Sequence, residues 1–507
     1  MSGQDPSPRP RHADLLASRV LVRNGVWNVV GLSLPLAVAV VAIPPLVSHL
    51  GTDRFGLLAI IWTAIGYFGL FDLGLGLALT RLVAERLGQG RTEALPRIVW
   101  TAIALMGALG LTAAVSVAAA APWLVRGVLA VPPALQGEAE LALMILAATL
   151  PFVILSAAFI GVLEAHQDFA AINTVRIPVG ALTFLGPLIA VQHAPSLVAA
   201  TGVLAATRLL ACLAYLAQCL RRMPTLRSPA FDRTLVRPLV AFGGWLTVSN
   251  LVSPLMVHFD RFVIGALLTM SAVAYYATPY EVVTRFRVVP VAMVAVLFPA
   301  LATAFASDRT RLSRLFGRAA GALLLVMLPL MALVALFAPE GLALWLGPEF
   351  AANSAGVLRW LAVGVFVNSL GRVGQTLVQG VGRPDVGAKL HLLEAIPYAV
   401  ALWLLIPRFG ILGAAAAWTG RVALDTAALL WIGGRLVPAL RRETRRALLL
   451  TAVGAASIAL FALVPDLAVR SVLAVALLAV VAWLGYRQLR AVGWLPGARG
   501  VAESRGS

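Results

Sequence analysis

The chain has 507 residues, of which 60% are apolar and 12% charged, with a mean hydropathy of +0.91. Ordinary globular chains carry about 25% charged residues, so this composition excludes a water-soluble domain and points to helices crossing a bilayer. The formal net charge of +18 does not argue for nucleic acid, because the arginines are dispersed between apolar runs and form no basic module with interleaved aromatics.

In chain order, residues 1–23 are polar, Pro-rich and basic. The apolar run that follows is too long for a signal peptide and lacks its small-residue cleavage site, so the segment reads as a retained cytosolic tail. Apolar runs of about 20 residues, enough to cross a hydrocarbon core about 30 Å thick, then recur to the C-terminus. They number about fourteen, centred near Ala37, Gly69, Leu109, Phe152, Phe184, Leu209, Leu251, Val289, Met327, Phe366, Tyr398, Thr419, Ser457 and Leu478. Cys212 and Cys219 fall on one predicted helix, about 10 Å apart along its axis, and cannot pair with each other there.

Basic residues set the expected orientation. The N-terminal tail, the connections after spans 2, 4, 6, 8, 10 and 12, and the C-terminal tail hold 28 Lys or Arg, while the other loops hold four: Arg54, Arg126, Arg408 and Arg470. Both termini are therefore predicted to be cytosolic. A weak repeat relates Gly25-Val26-Trp27 to Gly243-Gly244-Trp245, and Gly161–Phe169 to Gln379–Val386, at a spacing of roughly 218 residues. The predicted fold is an all-α integral membrane protein: two pseudo-symmetric six-helix lobes of like orientation, plus two C-terminal helices. The lobes cover 24–222 and 239–434, joined by a cytosolic linker at 223–238; helices 13 and 14 occupy 435–488 and a cytosolic tail 489–507. The last two helices read as a lipid-facing appendage, or as a groove for a lipid tail.

Eight arginines fall inside the spans: Arg176, Arg208, Arg261, Arg285, Arg287, Arg359, Arg372 and Arg421. An ionised group at mid-bilayer costs about 2.5–3.5 kcal/mol even on insertion scales. Arg176, Arg261 and Arg359 lie near predicted ends, where the side chain can snorkel, and Asp260 and Arg261, being adjacent, point about 100° apart and need not partner each other. Span 10 carries Asn368, Arg372, Gln375 and Gln379 at spacings of four, three and four, one helical face that must meet protein or water because lipid offers no hydrogen bond. Span 8 sets Tyr280, Thr284 and Arg287 on one stripe and Glu281 with Arg285 on the next. Glu281–Arg285 and Arg421–Asp425 each have the four-residue spacing of a helical ion pair, which leaves Arg287 the better phosphate contact. Arg208 has no acid within helical reach. Asp72 is either a counter-ion, for example to Arg81, or a group that couples transport to protons or sodium. Against the eight arginines stand five acids, Asp72, Asp260, Glu281, Glu394 and Asp425. The resulting surplus suits a diphosphate and repels a cationic drug.

The segment Leu50–Glu85, with Phe71-Asp72-Leu73-Gly74-Leu75 and Arg81, resembles the second span of the bacterial polysaccharide-export flippases of the multidrug, oligosaccharidyl-lipid and polysaccharide exporter superfamily. So do Phe242–Tyr276, with Gly244-Trp245, Asp260-Arg261-Phe262 and Tyr275, and Phe409–Trp418 (FGILGAAAAW). The resemblance implies a multi-pass protein of the bacterial cytoplasmic membrane that moves an undecaprenyl-diphosphate-linked oligosaccharide from the cytosolic to the periplasmic leaflet. Two lobes would rock around a cationic cavity, with polymerase or glycosyltransferase machinery as a further partner. The diphosphate candidates are Arg208, Arg287, Arg372, Gln375, Gln379 and Asn368; Asp72, Asp260, Arg261, Glu281, Arg285, Arg421 and Asp425 are candidates for ion pairing or coupling.

The one lysine, Lys389, follows Ala388, so no nucleotide-binding phosphate loop can be written. No Cys or His cluster of zinc type and no Asp-x-Asp sugar-transferase motif is seen, and neither an enzyme nor a cofactor is expected. A lipid II flippase and a cation-coupled multidrug antiporter of the same superfamily are the alternatives within transport. An integral-membrane glycosyltransferase or polymerase would need a catalytic acid and a larger extracytoplasmic loop.

Overall fold

The structure, a computed structural model, describes residues 37–68, 74–237, 239, 258–294, 309–383 and 385–491. All regular structure among them is helical, and nine of the described helices are long and apolar enough to cross a membrane. Asp72, Trp245 and both halves of the Gly-x-Trp repeat lie outside the described residues. The chain divides into two compact units, Met1–His258 and Phe259–Ser507.

In the first unit the helices are α1 (Ala37–Leu50), α2 (Thr52–Phe68), α3 (Leu75–Gly88), α4 (Leu95–Trp123), α5 (Gln136–Ala165), α6 (Phe169–His193) and α7 (Leu197–Arg222). Side-chain caps fix two starts: Asp168 accepts from the Ala171 amide at 3.2 Å, and the Ser196 hydroxyl from that of Ala199 at 3.1 Å. α4, α5 and α7 enclose a core that includes Met106, Ile154, Phe159, Val162 and Tyr215. Between α3 and α5 the backbones meet so closely that a Cβ on Gly161 would stand 2.9 Å from the Gly76 carbonyl oxygen, which requires glycine. Cys212 and Cys219 are both buried free thiols.

The second unit comprises α8 (258–267), α9 (Met270–Arg285), α10 (288–294), α11 (Arg309–Leu336), α12 (Ala338–Leu346), α13 (Pro348–Gly380), α14 (Asp385–Leu436), α15 (Arg441–Ala462) and α16 (Leu467–Ala491). The 52 residues of α14 break at Gly410, whose φ of 58° and ψ of −142° no helix contains. The chain folds back there, so α14 supplies both span 11 and span 12. α13 is the interior helix, packed against α9, α11, α12, α14 and α15, with 67% of its most apolar stretch buried; the figure for α16 is 11%. The polar stripe is the least enclosed face of this otherwise buried helix, with Asn368, Arg372 and Gln375 half-buried and Gln379 exposed, while α16 presents Val472, Val475 and Trp483 outward.

Two expectations change. Helix α12 is not among the fourteen runs, because its nine residues, bounded by Pro339 and Gly347, are too short to read as a span. Span 8 is not one continuous helix: α9 ends at Arg285, residues 286–287 form a turn, and α10 begins at 288. Arg287 consequently leaves the regular stripe that Tyr280 and Thr284 share.

Candidate functional site

The buried charges of the second unit form two groups. In the first, Thr269 caps α9 by accepting from the Ala272 amide at 3.1 Å, which sets Tyr276, Tyr280 and Glu281 against α8. Asp260 is fully buried; one oxygen accepts from the Arg261 amide at 2.8 Å and the other from the Tyr276 hydroxyl at 2.5 Å. Arg261 is 3% exposed, donates to Glu281 at 2.7 Å and faces the Tyr280 ring at 5.0 Å. Snorkelling is therefore the wrong account of Arg261, whose guanidinium turns inward to a carboxylate. Glu281 also takes Arg285 at 3.2 Å, so the helical pair read from spacing is present but shared. Tyr276 and Tyr280 stack 5.9 Å apart in the core, with Trp418 edge-on to Tyr280 at 5.6 Å, and neither ring faces outward.

The second group is built by the fold at Gly410. Arg421 places Nη1 3.6 Å from Glu394 Oε2 and stands over the Tyr398 ring at 5.3 Å. The expected Arg421–Asp425 pair is not what forms, because the reversed chain offers Glu394 from the opposite half of α14. His391 Nδ1 lies 4.0 Å from Glu394, and the donor atoms of His391, Glu394 and Asp425 fall within 4.8 Å of one another. Sequence alone gave no metal-like cluster; the fold assembles this one. The guanidinium already beside Glu394 supplies positive charge there and disfavours a metal ion. His391 was missed altogether, although its three-residue spacing from an acid inside an apolar span was a readable signal.

Next to these groups, α13 carries the polar stripe. Asn368 is half-buried with its Oδ1 unpartnered, Arg372 donates to Gln375 over 3.5 Å, and Gln379 is exposed. Arg372 lies within electrostatic reach of Arg287 and of Asp425. The structure thus brings Arg287 and Arg372 near one another, and neither has a carboxylate within 4.0 Å among the described residues. In the first unit, among the described residues, Arg208 on α7 reaches only the Thr183 hydroxyl, at 3.4 Å, and its buried Nε has no hydrogen bond. Tyr215 lies within electrostatic reach of both Arg176 and Arg208. Arg176 is exposed, and half-buried Arg359 bonds the Ala335 carbonyl at 3.4 Å.

Residues 21–305, more than half of the chain, match the model of the polysaccharide biosynthesis protein family. The chain belongs to that family. Over 417 residues this family member is 28% identical to a Shigella flexneri protein named for O-antigen transport, a match covering 82% of the chain and 98% of the relative. Among solved structures it resembles an inward-facing multidrug-resistance MATE transporter of the MOP superfamily, with a TM-score of 0.69 at 18% identity over 82% of this chain and 99% of that one. The lipid II flippase MurJ in an inward closed conformation gives 0.67 at 12% identity over 92% and 99%. At such identities the likeness concerns the fold, an all-helical membrane transporter fold.

Proposed function

We propose that this multi-pass membrane protein is a polysaccharide-precursor flippase. It moves an undecaprenyl-diphosphate-linked oligosaccharide from the cytosolic to the periplasmic leaflet of the bacterial cytoplasmic membrane by alternating access through a cationic cavity that takes the diphosphate. Family membership and the Shigella flexneri relative named for O-antigen transport support the class of cargo. The observation that carries the anionic reading is Arg208, a half-buried arginine in a membrane helix whose enclosed Nε has no hydrogen bond, with one long hydroxyl contact and no carboxylate within 4.0 Å among the described residues. Arg287 and Arg372 in the second unit are likewise half-buried and without a carboxylate within 4.0 Å among the described residues. A guanidinium left uncompensated in such a helix is costly, and its planar fork matches two phosphate oxygens. A cationic drug would find only repulsion at these positions, which disfavours the multidrug reading.

The test is glycan export in cells that depend on this protein. Arg208→Ala, Arg287→Ala and Arg372→Ala should each lower export about 10- to 100-fold, the equivalent of one charged hydrogen bond, with unchanged abundance in the membrane. Arg→Lys at the same positions should recover part of it. Normal export in all three alanine variants would overturn the proposal. Complementation of a lipid II flippase defect instead would move the cargo to the murein precursor.

A further inference from the structure

The His391, Glu394 and Asp425 group remains outside any diphosphate contact, and its polar atoms are left unsatisfied in a way packing alone does not explain. Glu394 is 9% exposed and neither of its carboxylate oxygens accepts a hydrogen bond; Asp425 is 7% exposed and its Oδ1 accepts none. One turn after Glu394, Tyr398 is buried at 3% exposure with its ring beneath Arg421. Buried polar groups are ordinarily hydrogen-bonded. Here two carboxylates and a phenol crowd around one guanidinium.

We propose that Glu394 and Asp425 form a proton-binding site, filled through His391, that is loaded and emptied during transport. Two carboxylates within 4.8 Å of one another cannot both remain ionised comfortably where solvent is scarce. Arg421 compensates one of them at 3.6 Å. The second is best satisfied by a proton, which turns one carboxyl into a donor toward the other's free oxygen. The remaining charged and titratable groups facing the site are Arg372 from α13, felt at Asp425, and Tyr280 and Asp260 from α9 and α8, felt at Tyr398. None of these supplies a hydrogen bond to the free oxygens. His391 is 25% exposed at the edge of the group and 4.0 Å from Glu394. In the loading step an imidazolium N–H bond breaks as a carboxyl O–H bond forms, and the neutral imidazole is reprotonated by hydronium from the solvent, leaving water.

The consequence for cargo rests on the diphosphate reading above. With the proton bound, Asp425 no longer offsets Arg372, and the arginine is free to hold an anion. With the proton gone, Asp425 offsets Arg372 and the anion is released.

The experiment is infrared difference spectroscopy of the purified full-length protein in liposomes without cargo, between acidic and alkaline buffer, in sodium and in choline salts. A protonated-carboxyl C=O band should appear in the wild type at acidic pH, vanish in Glu394→Gln or Asp425→Asn, and form more slowly in His391→Asn. Asp425→Glu, which keeps the group, should retain the band and so separates loss of the site from misfolding. A wild type without the band, or a band that survives both amide variants, overturns the proposal. Loss of the band on adding sodium to choline buffer would make sodium the occupant and overturn it as well. Because no cargo is present, this outcome is independent of the arginine variants in export.

Discussion

Glu281 holds two arginines at once, and their burial makes them unequal partners. Arg261, 3% exposed, relies on Glu281 for its carboxylate contact at 2.7 Å, whereas Arg285 is 43% exposed and can turn to solvent. Removing one partner of a fully buried pair costs about 3–5 kcal/mol; Glu281 is itself 39% exposed, so its loss costs less than that but more than the ~0.3–0.5 kcal/mol of an exposed helical pair. Glu281→Ala should therefore lower the unfolding midpoint of the purified protein far more than Arg285→Ala, which should leave it within error. Equal shifts would show that Arg261 finds another partner. The Glu281–Arg285 pair was legible because four residues is one helical turn. The Arg261 contact was not, since its partner lies 20 residues away across the break between α8 and α9.

At the scale of elements, α16 is held to the second unit at its first turn. Arg470 is 5% exposed and donates to Glu340 on α12 at 2.6 and 3.0 Å and to the Leu336 carbonyl at 2.7 Å. An arginine counted from sequence as a loop residue is thus the clasp of an otherwise outward-facing helix. Burial pushes the Glu340 carboxyl up, but the hydrogen bonds from Arg470 more than offset this and hold it below the usual carboxylate range. A depressed folded value stabilises above the unfolded one, and that contribution is lost as pH falls through the folded value. Arg470→Ala should detach α16, read as protease access at 462–467, at a cost of about 1–3 kcal/mol given that Glu340 is partly exposed. Acidification below the ordinary glutamate range should give the same cleavage in the wild type but add little in the variant. Helix α12, the other half of the clasp, escaped sequence reading because nine residues carry too little periodicity to stand out.

For the whole molecule, the even number of expected spans and the bias of 28 basic residues against four predict both termini on the cytosolic side. A C-terminal green fluorescent protein fusion should fluoresce and an alkaline phosphatase fusion at the same point should be inactive; the reverse result would overturn the orientation. Helix class and the approximate position of the long apolar helices among the described residues were legible in the sequence, because hydropathy and charge act locally on each 20-residue segment. So was the presence of unusual arginines. Which of them are compensated was decided only by the tertiary structure. The reversal at Gly410 gives Arg421 to Glu394 instead of Asp425, the α8–α9 packing turns Arg261 inward, and Arg208 is left with a single hydroxyl. A charge's partner in a membrane protein is set by distance through space, and helical periodicity reports only the neighbours one turn away.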